Sequence, residues 1–159
     1  MFFKNLMAGS ALGAMIATGA MAEIKIGASL PLTGSFSIAG TKHQQGYQLC
    51  IDLINERGGI MGENVELIVS DNRSDPATAI NQYERFINVD GVDAVFGTFS
   101  SRLTFPVANI LARNGFVHPI PAGGALRIYT QGHKNLFYFQ PNAAEYVGSP
   151  SGAAVSGLE

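Results

Sequence analysis

The sequence predicts an α/β fold, a doubly wound parallel sheet, on three observations. Short apolar runs bounded by Gly or Pro alternate with helical patterns from Ile24 to Phe139. The central run, Val92 to Gly97, is apolar enough for a strand buried on both faces, as parallel strands are. The segments after the strands, 33–41, 97–101 and 121–124, are rich in Gly, Ser and Thr. Strict alternation with right-handed crossovers gathers such loops at the carboxyl edge of one sheet, expected here in the order 2-1-3-4-5.

Strand one is expected over Ile24–Leu30, stopped by Pro31, with loop chemistry through Gly40. Thr41 opens a helical pattern in which Tyr47, Cys50, Ile51 and Ile54 recur at three- and four-residue spacing, closed by Gly58 and Gly59. Cys50, the only cysteine, is therefore placed on the buried side as an inert thiol. Strand two runs Val65–Ser70 and is followed by Asp71. Ser74-Asp75-Pro76 is a compact helix start, an acceptor for unbonded amides before a Pro whose missing N–H costs nothing there. Ala79, Ile80, Tyr83, Phe86 and Ile87 form its apolar stripe.

The central strand leads to Ser100 or Ser101 as N-cap of a third helix, with Pro106 in about its first turn and Val107, Ile110 and Leu111 facing inward. Strand four is Phe116–Ile120, a short amphipathic piece spans Leu126–Tyr129, and strand five is Leu136–Phe139. His118, inside an apolar strand, reads as a hydrogen-bonded core residue rather than a base.

Outside this pattern, residues 1–22 carry one charge at Lys4, an apolar stretch and the small-residue ending Ala20-Met21-Ala22. That is the layout of a secretory signal peptide cleaved after Ala22, placing the chain in the periplasm. The remainder has nine basic against twelve acidic residues, net −3, which attracts neither nucleic acid nor an anionic membrane. About 125 residues, 23–148, suffice for one core. Residues 149–159 lack apolar period and have the composition of a flexible tail.

Gly- and hydroxyl-rich loops beside helix N-termini suit an anion or carboxylate, because unbonded amides and the positive dipole end point at it. No Lys or Arg dominates these loops apart from Arg102, so a small carboxylate or zwitterion fits better than a polyphosphate. Neither phosphate-binding glycine fingerprint is present, and no cofactor is implied. Equally, these Gly and Ser residues could serve only turns and caps. Ser100 on a strand-to-helix turn invites comparison with the nucleophile elbow of α/β-hydrolases. The spacing Gly97-Thr98-Phe99-Ser100-Ser101 is not G-x-S-x-G, and His43, His118 and His133 are scattered. Asp71, Asp75, Asp90 and Asp93 lack metal-site spacing and read as caps and loop residues.

The order of a leader, IKIGASLPLTGSFSIAG, a helix ending INERGGIMG, SDNRSDPATA, AVFGTFSS and PIPAGG resembles the periplasmic substrate-binding proteins of branched-chain amino acid ABC transporters, from Glu23 to about Gly148. The resemblance implies a non-enzymatic binding lobe whose ligand, an amino acid or related amide, urea or aromatic acid, is gripped by Ser101 with Ser100 beside it. It also implies contacts from Ala122 and Gly124, and an ABC permease as membrane partner. It departs at Gly124, where Thr is common, and at Ala39, where an aromatic can wall the pocket; Phe36 is expected to replace that wall. The family carries a second lobe beyond a strand like 136–139, so this chain corresponds to the N-terminal lobe, which alone would hold its ligand weakly. An extracytoplasmic sensor lobe is the alternative of the same fold.

Overall fold

The computed structural model describes residues 23–141 together with 143 and 145; the expected leader at 1–22 and tail at 149–159 lie outside them. The elements follow the expected alternation: β1 (Glu23–Leu30), α1 (Ser37–Glu56), β2 (Asn64–Asp71), α2 (Pro76–Arg85), β3 (Ala94–Phe96), α3 (Ser101–Arg113), β4 (His118–Ile120), α4 (Leu126–Tyr129) and β5 (Leu136–Tyr138). β1 pairs in parallel with β2 on one side, from Glu23 opposite Asn64 to Leu30 opposite Asp71. On its other side it pairs in parallel with β3, from Ile26 opposite Ala94 to Ala28 opposite Phe96.

Side-chain alternation then assigns the faces. Ile24, Ile26, Val65, Leu67, Ala94 and Phe96 turn towards Ile51 and Ile54 of α1. Val95 and Ile68 turn the other way, into a cluster with Ala79, Tyr83 and Phe86 from α2 and its extension, and Leu103, Val107 and Leu111 of α3. The face is set by the two-residue period of the strands and the crossover hand together.

The sheet is interrupted between β3 and β4. β4 and β5 form their own parallel ladder, His118 opposite Leu136 through Ile120 opposite Tyr138, and among the described residues a bridge between Phe99 and Ala122 joins it to the first. The orders 2-1-3 and 4-5 are thus observed as separate ladders. His118 donates its N–H to the Asn135 carbonyl, 2.8 Å away, so its polar groups face β5. Alternation turns the next residue, Pro119, towards β3, where proline has no N–H to give. The backbones still approach closely: a Cβ on Gly97 would lie 2.2 Å from the Pro119 carbonyl oxygen, so only glycine fits there.

Four local expectations are corrected. Helix α1 starts at Ser37, not Thr41, so Ala39 lies inside its first turn rather than in a loop. Cys50 is exposed, not buried. The buried line of α1 runs through Gly40, Tyr47, Ile51 and Ile54, and Cys50 sits about 100° round the helix from Ile51. Pro106 is the sixth residue of α3 and so lies in its second turn, where its ring has no N–H to offer the Arg102 carbonyl four residues back. His118 is fully buried as expected, but neither ring nitrogen has a hydrogen-bond partner among the described residues. Burial first, and then the charge of His133, push its pKa down to about 4.

Helix α2 begins as its sequence dictates: Asp75 accepts from the Thr78 N–H at 2.7 Å, and Pro76 occupies the first helical position. It ends in a π-helical turn, Phe86–Asp90, stopped by Gly91 in the left-handed region. The extra residue in that turn keeps Phe86 inside, edge-on to Tyr83 at 5.8 Å. On the α1 side, β4 and β5 carry no helix among the described residues. Val117, Pro119 and Leu136–Phe139 line an apolar groove of about 610 Å³ there, with Phe137 and Phe139 exposed.

Candidate functional site

The carboxyl ends of β1, β2 and β3 are knitted by polar side chains that leave little play. Asn72, fully buried, donates from its amide to Ser29 Oγ at 3.1 Å and Thr98 Oγ1 at 3.2 Å, and accepts from the Ser74 N–H at 3.0 Å. One amide thereby joins the ends of all three strands to the loop before α2. Ser74 passes the connection on: its hydroxyl donates to the Thr33 carbonyl and accepts from the Phe36 N–H. Asp71 accepts from the N–H groups of Leu32, Thr33 and Arg73 and from the Thr33 hydroxyl. Desolvation opposes ionisation of this carboxyl, but the Thr33 hydroxyl and the three amides outweigh it and hold its pKa below the usual range.

The end of β3 is pinned from both faces. Tyr47 of α1 donates to the Gly97 carbonyl at 2.8 Å, and Tyr83 of α2 donates to the Phe96 carbonyl at 2.7 Å. Burial raises both phenols, so they stay protonated donors.

Held there, the chain passes through Thr98 and Phe99 into α3. Ser100 is the N-cap, in the expected place, but its backbone has φ 79° and ψ 145° and its hydroxyl makes no cap bond. A non-glycine residue in that region is strained, which costs on the order of 1–3 kcal/mol. Its Oγ is sealed from solvent and has no hydrogen-bond partner among the described residues. Ser101, the first residue of α3, accepts the Ala125 N–H on its Oγ at 3.0 Å and ties the strand-four loop to this helix N-terminus.

The three expected loops do come together. The Phe36 ring meets the Phe99 ring edge-on at 5.6 Å, Phe99 bridges to Ala122, and Ser101 reaches Ala125. Ala122 is buried. Gly124 gives its carbonyl to the Ala143 N–H at 2.7 Å. A Cβ on Gly124 would lie 3.1 Å from that nitrogen, so the lack of a side chain lets the chain after β5 cross close over the loop. Phe36 packs partly into the α2/α3 cluster. Ala39, half-buried in the first turn of α1, offers its carbonyl to His43 Nδ1 at 2.8 Å.

The contributors that escaped the sequence reading include Asn72, Tyr47 and Tyr83 as donors, and Phe99. A buried amide in a loop and a tyrosine in an apolar stripe carry no periodic signal that separates a hydrogen-bonding role from packing. Among the described residues the Ser100 hydroxyl has no hydrogen-bond partner, an imidazole included, and what it shares with the elbow is backbone strain.

Comparison with known proteins agrees with this architecture. A family model described as periplasmic binding protein matches residues 23–156. Leu/Ile/Val-binding protein homolog 1 of Brucella abortus is 35% identical over 136 residues, 84% of this chain and 36% of that protein. Leu/Ile/Val-binding protein BraC3 of Rhizobium johnstonii is 32% identical over 136 residues, 86% of this chain and 37% of its own length. Among solved structures, the branched-chain amino acid substrate-binding protein LivJ of Streptococcus pneumoniae, in complex with isoleucine, superposes with TM-score 0.73 at 29% identity. That match covers 80% of this chain and 38% of LivJ. The leucine-binding protein LivK of Thermotoga maritima gives TM-score 0.69 at 28% identity, covering 81% and 38%. The chain spans little more than a third of the length of these relatives. With the parallel ladders, the hydroxyl-bearing helix start and a family match over most of its length, the chain belongs to the periplasmic binding protein family.

Proposed function

We propose that this chain is the ligand-gripping N-terminal lobe of the extracytoplasmic solute-binding component of an ABC importer for amino acids or related small polar solutes. It is exported by residues 1–22 with cleavage after Ala22, and its partner is a membrane permease. The observation that carries the reading is the start of α3. The Ser101 hydroxyl stands where the Ser101 and Arg102 amides have no carbonyl within the helix, while the Leu103 and Thr104 amides are taken by the Ser100 carbonyl. A carboxylate placed there would accept from the Ser101 and Arg102 amides and from the Ser101 hydroxyl, and would meet the positive end of the helix dipole. Ser101 and the 122–125 loop complete one wall and Phe36 with Phe99 another. The relatives' names support an amino acid as cargo.

The test is a titration of the isotope-labelled chain, purified from the periplasm, with L-isoleucine up to about 20 mM by NMR, which reads weak binding. The amides of Ser100, Ser101, Arg102 and Ala125 are expected to shift together, and Ser101→Ala to weaken the response about tenfold. Shifts confined to other surfaces would overturn the reading.

A further inference from the structure

We infer that the bare face of β4 and β5 is the interface of a two-fold dimer, and that its occupant is the same face of a second copy of this chain. A parallel sheet is stable with both of its faces covered. Here α2 and α3 cover one face, with α4 packed beside α3, while α1 covers the other over the first three strands. The register of β4 and β5 turns His118, Ile120, Leu136 and Tyr138 to the α3 side, where Tyr138 stacks on Tyr129 of α4 at 4.4 Å. It turns Val117, Pro119, Phe137 and Phe139 to the α1 side. The two faces differ sharply: His118 and Ile120 are fully buried, whereas Val117, Phe137 and Phe139 are 59%, 53% and 77% exposed.

The bare face is a step, with α1 standing beside it. A helix is about 10 Å thick and stacked sheets lie about 10 Å apart, so a strand pair from another molecule fits the step level with α1. A two-fold axis parallel to the strands makes the fit mutual, because each copy's β4 and β5 then enter the step beside the other's α1. An axis across the strands would instead drive each α1 into β3 of the other copy. The parallel axis also lays β5 of one copy over β4 of the other, so that Phe137 and Phe139 meet the smaller Val117 and Pro119, large against small as interdigitating layers require. The edge is free as well. His118 donates to the Asn135 carbonyl and Phe139 donates to the Ile120 carbonyl, so the backbone groups of Leu136 and Tyr138 turn away from β4, and β5 has no further strand beside it among the described residues. No charge or proline blunts the edge within Leu136–Phe139. The exposed parts of Val117, Phe137 and Phe139 come to about 350 Å² per copy. With the β5 edges and the flanks of α1, the two copies bury about 1,200 Å², the lower end for a specific interface, so the dimer is a weak one.

The experiment is sedimentation velocity of the full chain, purified from the periplasm, from about 2 to about 500 μM, with a thiol reductant present so that Cys50 cannot cross-link two copies. Monomer is expected to give way to dimer with half conversion at about 50 μM. Phe137→Lys and Phe139→Lys are each expected to weaken the dimer at least about tenfold, whereas Leu49→Lys, on the exposed side of α1 away from the sheet, should leave it unchanged. Thermal melts check that the three variants are folded. In the parent chain, NMR on dilution should move the amides of Val117, Phe137 and Phe139 together. A chain that stays monomeric at the highest concentration overturns the proposal, whether residues 146–159 or solvent then covers the face. A dimer that survives either Phe→Lys change in folded protein, or that Leu49→Lys abolishes, overturns it equally.

Discussion

Replacing His118 by leucine tests the energetics of the core directly. The imidazole is fully buried and both nitrogens lack partners among the described residues. Its folded-state pKa, near 4, lies below the ordinary value of 6.5, so the folded state disfavours the proton that the unfolded chain accepts. Stability from this group is therefore intact above pH 6.5 and is lost progressively as pH falls towards 4. At about 1.4 kcal/mol per pH unit, the loss between pH 7.5 and pH 4.5 comes to about 2–3 kcal/mol. The carboxylates of Asp71 and Asp75 are shifted in the opposite sense, with pKa below the ordinary value, so their contribution is lost at still lower pH and equally in both proteins. Urea unfolding of the parent chain and His118→Leu at these two pH values isolates the imidazole. The parent should lose about 2–3 kcal/mol more than the variant over this range. At pH 7.5 the variant should already be more stable by about 1–2 kcal/mol, because two unsatisfied nitrogens are removed from an apolar site. Parallel pH dependence in the two proteins would refute the reasoning, since it would mean that the ring titrates as if exposed.

Two further expectations follow from geometry. Gly97→Ala puts a methyl group against the Pro119 carbonyl oxygen and Pro121 Cδ, so β3 and β4 must part; urea unfolding should show a loss of about 3 kcal/mol, and a loss below about 1 kcal/mol would contradict the close approach. Cys50, exposed on the flank of α1, should react with a chromogenic disulfide in the folded chain without denaturant, and a thiol that appears only on unfolding would restore the buried assignment.

What was legible in the sequence follows from which signals are periodic. Strand-helix alternation, the Asp75-Pro76 start and the Gly stops depend on local chemistry, and the elements fall where that chemistry places them. The loops that meet at the edge were legible too, because topology alone gathers them. The start of α1 was not. Gly34, Ser35, Ser37 and Gly40 look like loop residues, yet Gly40 is required inside the helix, where a Cβ would strike the Pro31 carbonyl. Cys50 was misplaced because a four-residue spacing from Tyr47 to Ile51 and a three-residue spacing from Tyr47 to Cys50 both satisfy helical periodicity; only the sheet beneath chooses between them. The break between β3 and β4 was written in the sequence as Pro119, but its effect depends on which neighbour that residue faces, and only strand register reveals this.

The same register explains why the candidate site sits at a break in the sheet rather than over a continuous one. With no ladder bond from Pro119, the segment after β3 is released to turn early, and Thr98 to Ser101 can take an irregular path in which Ser100 adopts a backbone that costs stability. Such a path persists only if it is over-determined. Here Tyr47 and Tyr83 fix the carbonyls just before it, Asn72 fixes Thr98, the Phe99–Ala122 bridge fixes its flank, and Ser101 fixes the loop beyond. Each tie lies on a different element, so no single fluctuation of one helix relaxes the turn. The strain that a continuous sheet would have relieved is thereby kept at Ser100, whose buried hydroxyl lacks a partner among the described residues.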